Sequence, residues 1–240
     1  MKEIFSKVIK FCHNYLLENE EILGYLTNER KISIESINKF NLGLFPNDLR
    51  LLFSEIDPKD LRDAGIIRNA SSSVFKIQNL LIPITDVYNE YIALAGRTLL
   101  TEEERKKRGI AKYRNSIYKK SHHLFGLNFA KNTILEKNVV YVVEGYFDVI
   151  MPHQKGMNNV VATCGTFLSS RHIALLSRYT DRIVIILDNE ENAQEKANMI
   201  VEKKKFPGVE ILAKNPLKDE KDIDDYLKFH SVNELLENLK

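Results

Sequence analysis

Apolar residues recur at helical spacing through the first part of the chain. Phe5, Val8, Ile9 and Cys12 are followed by Tyr15, Leu16, Ile22 and Leu23, the pattern of an amphipathic helix with one buried stripe. Ser33, with Glu35 and Ser36 after it, opens a short helix predicted to end near Phe40, and Asn41, Leu42 and Gly43 supply the stop. Pro46 and Asn47 start another helix, and Asp57-Pro58 a third that ends at Gly65. The period then changes. Phe75–Ile77, Leu80–Ile84 and Tyr91–Ala95 are short apolar runs, with a turn-like stretch from Asp86 to Glu90 before the last; together they predict a small antiparallel sheet. Residues 101–123 have no clean period and carry many charges, which predicts a long surface loop with partial helix.

From Asn138 onward, strands and helices alternate. Val139–Val143 is a fully apolar strand, a helical stretch runs to residue 154, and Val160–Ala162 is a second strand. A helix over Ser170–Arg178 leads to the apolar strand Ile183–Leu187, Glu191–Lys203 is helical, Val209–Leu212 is a fourth strand, and helices finish the chain. Apolar strands separated by helices imply a parallel sheet covered on both faces. The fold class is therefore α/β: a parallel sheet between helices, preceded by a mixed α+β subdomain. The boundary is expected near 125–137, giving a subdomain over 1–130 and another over 131–240. Neither an internal repeat nor a low-complexity linker interrupts the chain.

Composition sharpens this picture in three places. A hydrophobic fraction of 44% in 240 residues is enough for a core. No stretch has the apolar length of a signal peptide or membrane span, so no membrane association and a cytoplasmic location are expected. Cys12 and Cys164 lie far apart, outside any CxxC pair; they read as reduced, buried thiols, and no zinc is expected in this chain. The net charge is only +2, yet Arg105 to Lys120 is strongly basic and contains no acid, while acids crowd into 186–195 and 219–225. A balanced total can conceal a basic groove and an acidic pocket.

The acids carry the chemistry. The first apolar strand runs directly into Glu144-Gly145-Tyr146-Phe147-Asp148, and the third into Asp188-Asn189-Glu190-Glu191. Ligands of parallel α/β sheets bind at the carboxyl ends of strands, and Gly145 would let the chain turn sharply there. One strand-end acid is accounted for by the charge favoured at a helix N-terminus. Two clusters on the same sheet edge are not a packing requirement, and their use is to hold hard divalent cations through oxygen ligands. Two such ions can stabilise both the attacking and the leaving oxygen in phosphoryl transfer. For the third group, Asp222-Ile223-Asp224-Asp225, helix-terminal charge and metal ligand stand as equal readings.

At these residues the sequence resembles the Toprim domain, whose pattern is a glutamate after the first strand and paired acids after the third. VVEGYFDVI and VATCGTFLSSRHIALLSR are similar to the versions found in DnaG-type primases, as are LLIPITDVYNEYIALAGRTL, AKYRNS, LFGLNFA and the early YLTNERKISIESINKFNLGLFP. The resemblance covers nearly the whole chain, in order. It implies a Toprim-like four-stranded parallel sheet and a primase catalytic core, a DNA-directed RNA polymerase that makes RNA primers on single-stranded DNA from ribonucleoside triphosphates. It also implies metal ligation by Glu144, Asp148, Asp188, Glu190, Asp222 and Asp224, with Mg2+ or Mn2+ as cofactor and more than one ion. Glu144, Asp188, Glu190, Lys112 and Lys120 are then the candidate catalytic residues, and Arg97, Lys112, Asn115 and Lys120 match groove positions for template and nucleotide. Their cations suit phosphates, which they neutralise without reading sequence. Tyr113 has two readings, a base-stacking ring or a partly buried loop tyrosine.

Three positions depart from the family pattern. Glu190 stands where aspartate is usual, Ala193 where glycine is usual, and Phe75-Lys76-Ile77-Gln78-Asn79 replaces an arginine-rich run. A separate replicative helicase and a separate zinc-domain protein are the expected partners, in a bacterial cytoplasm. Alternative readings are a Toprim nuclease or topoisomerase-like enzyme, and a non-catalytic replisome binding module.

Overall fold

The structure, a computed structural model, describes residues 2–165, 167–203 and 205–239. It divides into one unit of residues 1–85 and 89–118 and a second of residues 86–88 and 119–240.

The first unit begins with α1 (Lys2–Leu17), α2 (Glu20–Gly24), a π-helical turn (Tyr25–Glu29), α3 (Ile34–Lys39), β1 (Gly43–Leu44), α4 (Leu49–Phe53) and α5 (Pro58–Asp63). It continues with the hairpin strands β2 (Ile67–Asn69) and β3 (Ser72–Ser73), then β4 (Leu80–Thr85), β5 (Tyr91–Arg97), α6 (Glu102–Arg108) and β6 (Tyr113–Asn115). The stripe read from the sequence is the face α1 buries: Phe5, Val8, Ile9, Cys12 and Leu16. The short helices start where side chains accept orphan backbone N–H groups. Ser33 caps α3, Asp48 caps α4, and Asp57, with Pro58 behind it, caps α5. The sheet has the order β1-β4-β5-β6, antiparallel throughout. Gly96 is required in β5 because a Cβ there would come within 2.1 Å of the Gln78 carbonyl oxygen.

Three expectations change. Phe75–Ile77 is not a strand: Phe75 is a fully buried plug whose ring lies 5.8 Å from that of Phe45, while Ile77 points outward. An apolar run of three can satisfy a core by one side chain alone, and β4 already pairs with β1 and β5. The helix expected from Pro46 begins at Leu49, after the Asp48 cap. The charged stretch 101–123 is also more ordered than a loop. A capping box of Thr101 and Glu104 starts α6, Gly109 ends it at φ 61°, and the chain returns as the edge strand β6.

The second unit holds a 3₁₀ turn (Lys120–His122), α7 (Leu127–Lys137), β7 (Val140–Val143), α8 (Phe147–Gln154), β8 (Val160–Ala162), α9 (Ser170–Leu176) and β9 (Arg182–Ile185). After these come α10 (Glu191–Lys203), β10 (Glu210–Ala213), α11 (Ile223–Phe229) and α12 (Val232–Asn238). Its four strands are parallel in the order β10-β9-β7-β8. Val140, Val142, Val161, Ile183 and Ile185 pack with Ala130, Ile134, Ile173, Leu176, Ala197 and Ile200, so the near-continuous apolar strands follow from burial on both faces. From β7 the chain goes to β8 on one side and later to β9 on the other. The topological switch point, where α/β sheets bind ligands, is therefore at the carboxyl ends of β7 and β9.

Candidate metal centre

Glu144 follows β7 directly, and Asp148 is the second residue of α8. Gly145 lies between them for a different reason from the one its position suggests. Its φ is outside the left-handed region; instead its N–H donates to Asp148 Oδ2 at 2.9 Å, and a Cβ would sit 2.7 Å from that oxygen. Glycine permits the backbone to lie against the carboxylate. Asp148 is buried, and its other oxygen faces the N–H of Asp224 at 3.4 Å.

Asp188 lies three residues past the end of β9, in a loop rather than in the strand. Gln194 Nε2 donates to the carbonyls of Leu187 and Asp188 at 3.3 and 3.1 Å, which fixes that loop from α10. Asn189 brings the third acidic group over the edge. Its N–H donates to the Lys221 carbonyl at 2.7 Å, its side-chain amide donates to the Lys218 carbonyl, and its Oδ1 accepts from Asn215 Nδ2 at 2.7 Å. Glu190 is exposed and pairs with Lys221 at 3.2 Å. Ala193 is buried in the first turn of α10, where the extra methyl is accommodated.

Electrostatics tie these residues into one centre. Burial, followed by the charges of Asp222, Asp224 and Asp188, raises the Asp148 pKa well above the ordinary aspartate range, against the Gly145 N–H. Burial, with Glu144 and Asp222 next, pushes Asp188 up to about 7, while Lys221 opposes the shift. Carboxylates from both strand ends and from the start of α11 thus feel one another. The tightest grouping is not the one read from the strand ends. Among the described residues, the set of three acids with ligand oxygens mutually within 4.8 Å is Asp222, Asp224 and Asp225. The donors are all hard oxygens, and their repulsion is of the kind a divalent cation relieves; the set fits a hard divalent cation.

Lys120 belongs to this unit, and its ammonium donates to the Cys164 carbonyl at 2.9 Å. A cavity of about 190 Å³ opens nearby, lined by Glu144, Thr163, Gly165, Phe167 and Lys196 over an apolar floor that includes Val142 and Ile185. Sequence reasoning missed Thr163, Lys196 and Lys221, none of which has a local signal. Arg97, Lys112, Tyr113 and Asn115 lie in the first unit, gathered by the pairing of β5 with β6, in which Arg97 faces Tyr113 and Ala95 faces Asn115. The Tyr113 ring is half-buried, with the Arg97 guanidinium 5.8 Å and the Lys112 ammonium 5.7 Å from its centre.

A four-stranded parallel sheet with acids at its switch point defines a Toprim-like domain, and residues 141–227 match the family described as Toprim-like. Residues 11–131 match the family described as the DNA primase catalytic core, N-terminal domain. The chain belongs to the DnaG-like primase core family, with its Toprim domain in the second half. It is 34% identical to a DNA primase of Synechococcus elongatus over 92% of this chain and 34% of that protein. The zinc-binding and RNA polymerase domains of the Aquifex aeolicus primase superpose with TM-score 0.84 at 28% identity, over 98% of this chain and 59% of that one. A DnaG primase catalytic domain bound to single-stranded DNA gives 0.82 at 25%, over 99% and 77%. The chain spans about a third of the length of the curated relatives it matches. Among the described residues no helix is long and apolar enough to cross a membrane.

Proposed function

We propose that this chain is a primase catalytic core that joins ribonucleotides into short RNA primers on a single-stranded DNA template. The observation that carries the reading is the convergence of carboxylates at the switch point: Asp148 lies against the Asp224 N–H, Asn189 ties the Asp188 loop to the segment before α11, and Asp222 raises the pKa of both Asp148 and Asp188. Family membership supports it, as does the likeness to a primase domain bound to single-stranded DNA.

Glu144, Asp148, Asp188, Glu190, Asp222 and Asp224 are the proposed metal ligands, for Mg2+ or Mn2+ and for more than one ion. When bound, such ions neutralise triphosphate charge and lower the barrier to nucleotidyl transfer. The protein's own groups do the rest. Gly145 and the N–H of Asp224 orient the Asp148 carboxylate, and Lys120 offers an ammonium for phosphate oxygens. Arg97, Lys112, Asn115 and Tyr113 are proposed to hold template or nucleotide phosphates and bases. In this division of labour the expected boundary near 130 moves to residue 119, so the first unit supplies Arg97, Lys112, Tyr113 and Asn115, and the second the acidic centre together with Lys120. A helicase and a zinc-domain protein are proposed partners, and the bacterial cytoplasm the proposed location.

The test is incorporation of labelled ribonucleotides on single-stranded DNA with Mg2+ or Mn2+. Templated products that disappear in a folded Glu144→Gln variant support the reading. Cleavage of the DNA without incorporation would favour a Toprim nuclease, and absence of both activities together with absence of metal binding would favour a non-catalytic module.

A further inference from the structure

We propose that His172 is a positioning residue, acting with Ser169 to fix Lys120 beside Glu144. The proposal rests on the nucleotidyl-transfer reading of this unit. Ser169 caps α9: its hydroxyl accepts from the His172 N–H at 3.1 Å, and its own N–H donates to His172 Nδ1 at 3.2 Å. Glutamate or glutamine usually closes such a capping box from this position, so the helix end alone does not require a histidine. What the imidazole adds is a second ring nitrogen. With Nδ1 accepting, Nε2 carries the proton and donates to the Lys120 carbonyl at 2.9 Å. A glutamate here would close the box and set a carboxylate against that carbonyl. The ring is fully buried, so its orientation is set by these partners.

Ser169 adds a further tie, its hydroxyl donating to the Ser121 carbonyl at 3.1 Å. The turn Lys120–His122 is thus held at two carbonyls by the first turn of α9. A three-residue 3₁₀ turn has little stability of its own, and its placement depends on such anchors. From it the Lys120 side chain reaches the Cys164 carbonyl, and the Cys164 N–H donates to the Glu144 carbonyl at 2.9 Å. A Cβ on Gly165 would lie 3.8 Å from the ammonium, and Gly165 lines the cavity that Glu144 also lines. A continuous series of bonds therefore runs from the imidazole through Lys120 to the backbone of the first acid of the centre.

The experiment is a double-mutant cycle on the full chain, with His172→Ala, Lys120→Ala and both together, reading kcat and KM for ribonucleotide incorporation. His172→Ala is expected to lower kcat by about 10- to 100-fold, as small misplacements of reacting groups do, with a smaller change in KM. On top of Lys120→Ala it is expected to cost almost nothing, because the histidine acts through the lysine. His172→Gln, whose amide can accept from Ser169 and donate to Lys120, should recover most of the loss. Losses that add in the double variant, or wild-type kcat in His172→Ala, would overturn the proposal. If His172→Ala does not fold, Ser169→Ala replaces it in the cycle, with the same criteria. If the wild type incorporates no nucleotide, the primase reading fails, and the acylation rate of Lys120, followed by mass spectrometry, decides the placement. Faster acylation in the variant than in the wild type supports it, and equal rates overturn it.

Discussion

The acids at the strand ends and those at the start of α11 carry the same charge within one centre, yet the fold treats them differently. Asp222 caps α11, accepting the Asp225 N–H at 2.8 Å, and Asp225 pairs with Lys228, which also lies 3.5 Å from Asp224. These residues have structural partners of their own. Asp148 and Asp188 are instead held where burial and neighbouring carboxylates disfavour their charge. Asp222 and Asp225 are tied into α11 by a cap and by Lys228, whereas Asp188 lies in a loop among repelling acids and Asp148, although it accepts from the Gly145 N–H, stays buried against three of them. The difference separates groups placed for the fold from groups placed at its expense, which is where functional residues concentrate.

Neutralising each set sharpens the contrast most. Asp188→Asn is expected to reduce ribonucleotide incorporation by about 100- to 1,000-fold, the scale on which a preorganised electrostatic stabiliser acts. The same change should leave the metal-free protein as stable as the wild type or more so, because it removes one of several repelling charges. Paired measurements of incorporation and of thermal melting in EDTA check this. A variant that loses both activity and melting temperature would place Asp188 with the structural acids.

The second comparison is with pH. In the unfolded chain Asp188 titrates near the ordinary value of 3.8, and in the folded protein near 7; Asp148 is raised as well. Between those values the folded state holds protons that the unfolded state has released, so this contribution to stability is present at low pH and is lost as pH rises. The melting temperature of the metal-free protein should therefore fall from pH 5 to pH 8 more steeply in the wild type than in Asp188→Asn. Millimolar Mg2+ or Mn2+ should raise melting more at pH 8 than at pH 5, since ligand binding to the folded state stabilises it. Parallel melting curves for both proteins at both pH values would contradict the assignment.

Much of this centre was legible in the chain, and its limits are physical. Glu144 and Asp188 could be read because packing alone gives no reason for acids at the end of a fully apolar strand. The alternation after Asn138 pointed to the parallel sheet in the same way, since only burial on both faces makes strands so uniformly apolar. The third group stayed evenly balanced between helix-terminal charge and metal ligand, because the tether that brings it over the edge is Asn189 reaching the 215–221 segment, a contact with no local pattern. Phe75 misled because a short apolar run satisfies a core plug as readily as a strand. The partial helix expected within 101–123 is α6, its ends marked by Thr101, Glu104 and Gly109, whereas the edge strand β6 that follows has no period of its own to show it. The tie from His172 to Lys120 spans more than fifty residues and leaves only the capping-box spacing Ser169 to His172 behind it.

Asp222 divides the two sets and can be split chemically. Asp222→Ala removes both the cap and the charge, and should cost about 1 kcal/mol of stability, the usual value of a lost N-cap. Asp222→Asn keeps a capping oxygen and removes only the charge, so it should melt at or above the wild type while binding Mg2+ more weakly. Denaturant unfolding and metal titration of the two variants check both statements. If Asn and Ala weaken metal binding equally and only Ala is destabilised, cap and ligand are independent uses of one side chain. If Asn leaves metal binding unchanged, Asp222 belongs wholly to the helix.

The smallest effect is expected at Asp225, the acid of the tight triad that faces Lys228 with the greater exposure. Exposed or partly exposed ion pairs are usually worth less than about 1 kcal/mol, and here Lys228 keeps Asp224 as a second partner at 3.5 Å. Asp225→Asn should therefore shift unfolding by only about 0.5 kcal/mol and leave incorporation within about twofold of wild type. A large loss of incorporation at unchanged stability would move Asp225 into the metal centre. The boundary between the two kinds of acid would then fall inside the first turn of α11, rather than between that helix and the sheet edge.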